Sequence, residues 1–490
     1  MKNTNPLLPL PLLVFLLPLA VYFVTLNGFW ATDHPSSLID LDWAIYAHHS
    51  FAIGQVGDFQ KNSVDIFAYN GSYYSASAPG AAILAFPFVA LGFYLQGGFA
   101  VFGYVLPTSE LFVAIANSLA AFVLYRIGKD FFFGELAAAF VAFSYAFSTI
   151  SWPFATFFFQ SDVSALFVLS SVYFLLSASK GEPGHPSRDA LLCGVSVGVA
   201  LTVDYVDGIL IFPILGYLLL GSKGPRAARL ERGVLFTMAS AAGVLLLFAY
   251  NYASFGNPFA ASEQVYLGGA GVLGAFSFPL LDGAYLNLFT PLRGIFVYSP
   301  VLLVGVVGLL GSLRPSKFDS RVAMLLVLFL CIFVPYSMWY APTAGNSYGP
   351  RFLVAAIPLL LIPAGFILET LRSALRRSLV YLLYLAGVVL SGLASFVGAV
   401  PPDQMWFSSP FVKDVVPAIF ALQLDPWWAS QSGPAAWVVI GVVLGAVGLA
   451  PLFTGALSIS GSGPSKRSAA EARSAQPGPA PQTPERQVHS

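Results

Sequence analysis

The chain has 490 residues, 57% of them apolar and only 9% Asp, Glu, Lys or Arg, with a mean hydropathy of +0.76. A soluble domain of ordinary composition carries roughly 25% charge, so a water-soluble fold is excluded and the lipid bilayer becomes the expected partner. The 23 basic and 23 acidic residues cancel, which removes the electrostatic footprint of a nucleic-acid partner.

An apolar run of about 20 residues crosses a hydrocarbon core of about 30 Å as a helix. The first such run, residues 6–27, follows Lys2 and reads as an uncleaved first span rather than a signal peptide. Further along, Lys and Arg gather in short breaks: Arg126/Lys129, Lys180/Arg188, Lys223/Arg226/Arg229/Arg232, Arg314/Lys317/Arg321, Arg372/Arg376/Arg377 and the tail. Positive loops stay in the cytoplasm, so the chain crosses an even number of times between clusters. Spans then fall at 8–28, 109–127, 132–151, 159–178, 190–205, 206–221, 233–252, 297–313, 321–340, 351–370, 378–399 and 434–456. The expectation is an all-α polytopic membrane protein with about twelve transmembrane helices. Both termini are expected in the cytoplasm and the chain in the plasma membrane of a prokaryotic cell.

Residues 78–100 are apolar too, but a crossing there would turn every later basic cluster outward. They are expected to lie along the outer interface or re-enter, within a long first outer loop, 29–108. Residues 1–456 form the membrane-embedded domain. The Pro-, Ser-, Ala- and Gln-rich stretch 457–490 is expected to be a disordered cytoplasmic tail. The outer face holds the long loops 29–108, 253–296 and 400–433, and long ordered loops usually carry function.

Within the first loop, "HPSSLIDLDWAIYA" reads as a helix start, with Ser37 as cap and Asp40 at capping-box spacing. Asp42, Tyr46 and His49 fall at i, i+4 and i+7 and share a face, expected to look into a cavity. Trp43, Ala47 and Phe51 form a different stripe suited to the membrane interface.

These residues resemble the polyprenyl-phosphate-sugar-dependent glycosyltransferases of the GT-C superfamily, which include the protein O-mannosyltransferases and the aminoarabinose transferase of lipid A. Those enzymes place an Asp just after the first span, followed by Tyr four residues on and by Gly-Asp at fifteen and sixteen. Asp42, Tyr46, Gly57 and Asp58 keep that spacing. "NGSYYSASAPG" is similar to the element that follows, through Asn70, Gly71, Tyr74, Pro79 and Gly80, with Ser77 where a Lys is usual. "FGNPF", "TPLRGIFVYSP" and "GNSYGPRFLVAAIPLL" extend the resemblance over roughly residues 8–365.

The resemblance implies transfer of a sugar from a polyprenyl-phosphate donor to an acceptor hydroxyl on the outer face, with inversion and with Asp42 as general base. A positioned base contributes about 10²–10⁴ in rate. Arg351 and Arg293 are candidate phosphate partners: both are basic on the outer side, against the prevailing bias, and a guanidinium fork suits a phosphate. Lys61 and Lys413 are the other outer cations. Asp162, at a span's outer end, is a candidate for binding sugar or acceptor hydroxyls. Tyr46, Tyr74, Tyr348 and Lys61 complete the expected substrate contacts.

Asp204 and Asp207, in "VDYVDG", read as turn and cap residues. Adjacent His48 and His49 make a poor metal pair, and Cys193 and Cys331 read as thiols packed among helices. No resident cofactor is expected, although Asp33, Asp40 and Asp42 could assemble a divalent-cation site. Two other readings stay open: a transporter or flippase, and a non-catalytic binder of lipid-linked sugar.

Overall fold

Each of the twelve expected spans coincides with an apolar helix, because backbone in hydrocarbon satisfies its N–H and C=O groups only by bonding to itself. The computed structural model describes residues 9–27, 33–53, 65–98, 103–181, 184–268, 274–343, 345, 347–398, 407–429 and 432–453. The first half holds α1 (Leu10–Thr25), α2 (Asp33–His48), the strands β1 (Ile66–Tyr69) and β2 (Ser72–Ser75), α3 (Gly80–Gln96), α4 (Val105–Ile127), α5 (Glu135–Phe147), α6 (Ser151–Phe154), α7 (Gln160–Lys180) and α8 (Pro186–Val203). A 3-10 turn, Tyr205–Leu210, leads into α9 (Ile211–Leu220), and then come α10 (Arg226–Phe255) and α11 (Ser262–Tyr266). The second half holds α12 (Leu280–Phe289), α13 (Ile295–Tyr298), α14 (Leu302–Ser312), α15 (Ser320–Ser337), α16 (Ile357–Leu361), α17 (Ala364–Thr370), α18 (Ala374–Val397), α19 (Val416–Phe420) and α20 (Ala436–Phe453). Among the described residues, seven helices are long and apolar enough to cross a membrane by length and composition; the other expected spans are shorter apolar helices.

The core sits around α5, whose residues 137–147 are all buried against α1, α4, α17, α18 and α20. Beside it α8 and α10 pack backbone to backbone: a Cβ on Gly243 would lie 2.2 Å from the Gly198 carbonyl oxygen. Small residues permit such approach where no hydrophobic drive holds helices together.

Residues 78–100, set apart from the spans by parity, form α3, which lies across helix ends rather than between helix middles. A Cβ on Gly80 would meet the Thr202 carbonyl carbon at 2.4 Å, near the end of α8. One on Gly92 would meet Val105 Cα at 2.7 Å, at the start of α4. The apolar cluster beneath α3 joins Leu38 and Leu41 of α2 to Val105, Phe158, Val203 and Tyr250. Those last four sit at ends of α4, α7, α8 and α10 that the up-and-down chain path brings to one side. α2, the hairpin and α3 therefore cap that side, the one the charge pattern makes outer. Trp427 and Trp428 pin a later loop to the same end, their indole N–H groups donating to the Phe23 and Val24 carbonyls of α1.

The hairpin follows from "NG": Asn70 at φ 45° and Gly71 at φ 81° form the two-residue turn whose twist matches paired strands. By contrast, the expected cap at Ser37 is inside α2. The helix already runs from Asp33, and the Ser37 hydroxyl donates to the His34 carbonyl while accepting from Ser75. Gly57, Asp58, Lys61 and the tail 457–490 lie outside the described residues.

Candidate active site

On the α3 side, helix ends enclose a cavity of about 550 Å³. Asp33 and His34 enter it from the start of α2, Gln160 from the start of α7, Asp204 from just past α8, and Glu263 from α11. Asp65 and Ser77 come from the two feet of the hairpin, whose register sets them close: Ile66 faces Ser75, and the Ala76 N–H donates to the Asp65 carbonyl. Arg351, in the 3-10 turn Arg351–Leu353, is the one guanidinium among the described lining residues. Tyr266, Phe276, Tyr336, Trp339 and Tyr340 make much of the remaining wall aromatic.

His34 organises one wall. Its Nε2 lies 2.5 Å from Gln160 Oε1, its Nδ1 lies 3.2 Å from Ser77 Oγ, and its ring stacks on Phe159 at 5.4 Å. Burial first, and then the Arg351 charge, push its pKa down to about 3. The imidazole is neutral, so the partners assign Nε2–H as donor to Gln160 and leave Nδ1 to accept from Ser77. Asp65 Oδ2 is 3.9 Å from that Nδ1. The far wall is tied by the Tyr336 hydroxyl, which donates to Asp204 Oδ2 at 2.5 Å. Asp204 also accepts from Gln160, so the two walls share one amide.

The Arg351 guanidinium carbon stands 5.2 Å from the Phe159 ring centroid and 4.9 Å from that of Phe352. Its Nε is buried with no hydrogen-bond partner among the described residues. Burial raises Asp65 while Arg351 lowers it. Burial raises Glu263 to about 7, reinforced by Asp65 and Asp204 and opposed by Arg351. An oriented cation among raised carboxylates suits an anion with a proton to move beside it.

Of the expected catalytic and substrate-contact residues that are described, Arg351 alone lines this cavity. Asp42 is fully buried and neither carboxylate oxygen has a partner among the described residues, and desolvation raises its pKa well above the carboxylate range. The expected inward stripe fails because α2 is packed nearly all round: Tyr46 lies on Trp43 and Phe93, and His49 falls past the helix end at φ 50°. Asp33, Asp40 and Asp42 do not converge, since Asp33 faces the cavity while the other two are buried.

Asp162 is sealed below, its Oδ1 accepting from Ser151 at 3.1 Å. Arg293 is 1% exposed and spent on main chain, donating to the carbonyls of Ser347, Gly349 and Gly345. That clamp fixes the loop leading to Arg351 rather than offering a free fork. Tyr348 donates to the Leu390 carbonyl at 3.0 Å and packs edge-on to Tyr298. Tyr74 packs on Phe255 at 5.1 Å and anchors the hairpin to α10. Asp65, His34, Gln160 and Glu263 were not expected. Their one sequence signal was position in outer loops or at outer helix ends.

Residues 87–253 match the sequence profile described as dolichyl-phosphate-mannose-protein mannosyltransferase. No curated protein matches the chain in sequence. Among solved structures, ArnT from Cupriavidus metallidurans bound to undecaprenyl phosphate superposes with a TM-score of 0.56 at 17% identity, covering 90% of this chain and 74% of that one. The archaeal oligosaccharyltransferase AglB from Archaeoglobus fulgidus, in complex with an inhibitory peptide and a dolichol-phosphate, superposes with a TM-score of 0.52 at 13% identity, covering 81% and 57%. The chain thus shares the fold of these two structures.

Proposed function

We propose that this protein transfers a sugar from a polyprenyl-phosphate donor to an acceptor hydroxyl at the outer face of the cell membrane, with both of its termini in the cytoplasm. The observation that carries the reading is Arg351, an aromatic-backed guanidinium whose Nε has no partner among the described residues, in an acid-lined cavity at the capped side of the bundle. The lipid phosphate sits against Arg351. Asp33 takes the acceptor's proton; Asp42, sealed from the cavity, does not. The acceptor oxygen bonds to the anomeric carbon, the carbon–phosphate-oxygen bond breaks, and its electron pair leaves with the lipid phosphate. One displacement inverts the centre. The ArnT structure bound to undecaprenyl phosphate supports a lipid-phosphate ligand for this fold.

The test is transfer by purified protein in proteoliposomes from polyprenyl-phosphate hexoses or pentoses to lipid, glycan and peptide hydroxyls. Wild type is expected to transfer, and Asp33→Asn and Arg351→Ala each to lose about 10²-fold or more. Movement of lipid or sugar across the bilayer without a new glycosidic bond would mark a transporter instead.

A further inference from the structure

Glu263 stands amid the cavity's charge, and the reaction above leaves it unused. Asp65 and Asp204 oppose its ionisation and Arg351 favours it. Its charge in turn reaches Tyr205, Tyr266, Tyr336 and Tyr340. From α2, Asp33 and neutral His34 face the same space, and Asp207 lies behind Asp204.

A donor phosphodiester would add a negative charge to a cavity with four lining carboxylates and one lining guanidinium. Something must give up charge, and the carboxylates are not equivalent. Asp204 already accepts hydrogen bonds from Tyr336, the Val206 N–H and Gln160, which a proton on its carboxylate would have to displace. Burial raises Asp65, and the Arg351 charge opposes that rise. Among the described residues, the Glu263 carboxyl has no hydrogen bond to hold it ionised, and burial raises its pKa to about 7. An incoming anion raises it further, because a nearby like charge disfavours ionisation.

We propose that Glu263 is a phosphate-binding residue that works protonated: donor entry draws one proton from solvent onto its carboxylate, and the resulting O–H donates to a non-bridging phosphate oxygen beside Arg351. The proton returns to solvent when the lipid phosphate leaves. This deepens the proposed function and rests on it.

The experiment measures binding of a short-chain prenyl methyl phosphodiester, which carries one charge throughout pH 5–9, to the full-length protein in detergent. Calorimetry in buffers of different ionisation enthalpy counts protons taken up. Wild type is expected to take up close to one proton near pH 8, with Kd weakening nearly tenfold per unit above about pH 7. Glu263→Gln is expected to bind with no uptake and a flat Kd. Wild-type binding that is lost in Arg351→Ala yet shows neither uptake nor pH dependence overturns the role of Glu263 and leaves the phosphate reading standing. Undiminished uptake in Glu263→Gln overturns it too, by assigning the proton to another group. Absence of binding by wild type at every pH sinks the phosphate reading itself. Should Glu263→Gln fail to fold, the wild-type proton count alone decides.

Discussion

The Tyr336 hydroxyl reaches across 132 residues of chain to donate to Asp204 at 2.5 Å. It fastens the end of α15 to the end of α8, and its ring lies 4.7 Å from Phe352 at an interplanar angle of 8°. Phe352 in turn backs Arg351. Tyr336→Phe keeps the stack and removes the tie. A buried hydrogen bond contributes about 0.5–1.5 kcal/mol net, so the thermal midpoint in detergent is expected to fall by at least that equivalent. An unchanged midpoint would mean that the two helix ends are held together without this bond.

Asp33 and Asp42 share α2 but not an environment, and their variants separate them. Asp33→Asn removes the acceptor's base and is expected to cost about 10²-fold or more in kcat. Asp42→Asn places an isosteric amide where burial already disfavours a charged carboxylate and is expected to leave kcat within about threefold, an effect below 1 kcal/mol. Steady-state transfer kinetics on both decide it. The reverse order of effects would return the base to Asp42.

The two arginines divide in the same way. Arg293→Gln leaves the Ser347, Gly349 and Gly345 carbonyls without their shared donor and is expected to destabilise by about 3 kcal/mol or more. Arg351→Lys keeps the charge but loses the planar stack on Phe159 and Phe352. It is expected to raise KM for the lipid donor about tenfold with little change in thermal midpoint. Kinetics and melting on the same preparations test both halves.

Much of the fold was legible, and for physical reasons. Apolar runs in a bilayer have one economical backbone solution, the even-crossing rule set residues 78–100 apart from the spans, and Asn70-Gly71 dictated the hairpin. The site was less legible. Arg351 stood out because an outer arginine breaks the charge bias. Asp42, Tyr46 and His49 share a face by periodicity, but periodicity does not say which face meets a cavity. On α2 the burial of Leu38 to Asp42 leaves no inward polar stripe. His34, Gln160, Asp204 and Glu263 come from distant helix ends, and only the packing of α2, α7, α8 and α11 brings them together.

Glu263 also predicts a stability profile. Its carboxyl is held up to about 7 against an ordinary 4.5, so between those values the folded protein binds more protons than the unfolded chain. Stability linked to this group is full below pH 4.5, falls as pH rises, and is gone above about 7. Allowing for partial exposure, the full swing is about 1–3 kcal/mol. His34 acts in the opposite sense. Its pKa is lowered from 6.5 to about 3, so its contribution is intact above pH 6.5 and is lost as pH drops toward 3. Subtracting Glu263→Gln midpoints from wild-type midpoints across pH 5–8 cancels the histidine and isolates the glutamate. The difference is expected to turn against wild type as pH rises, because glutamine stays neutral where the buried carboxyl must ionise. A flat difference would place Glu263 in open solvent, and a rising one would mean that its ionised form is paired.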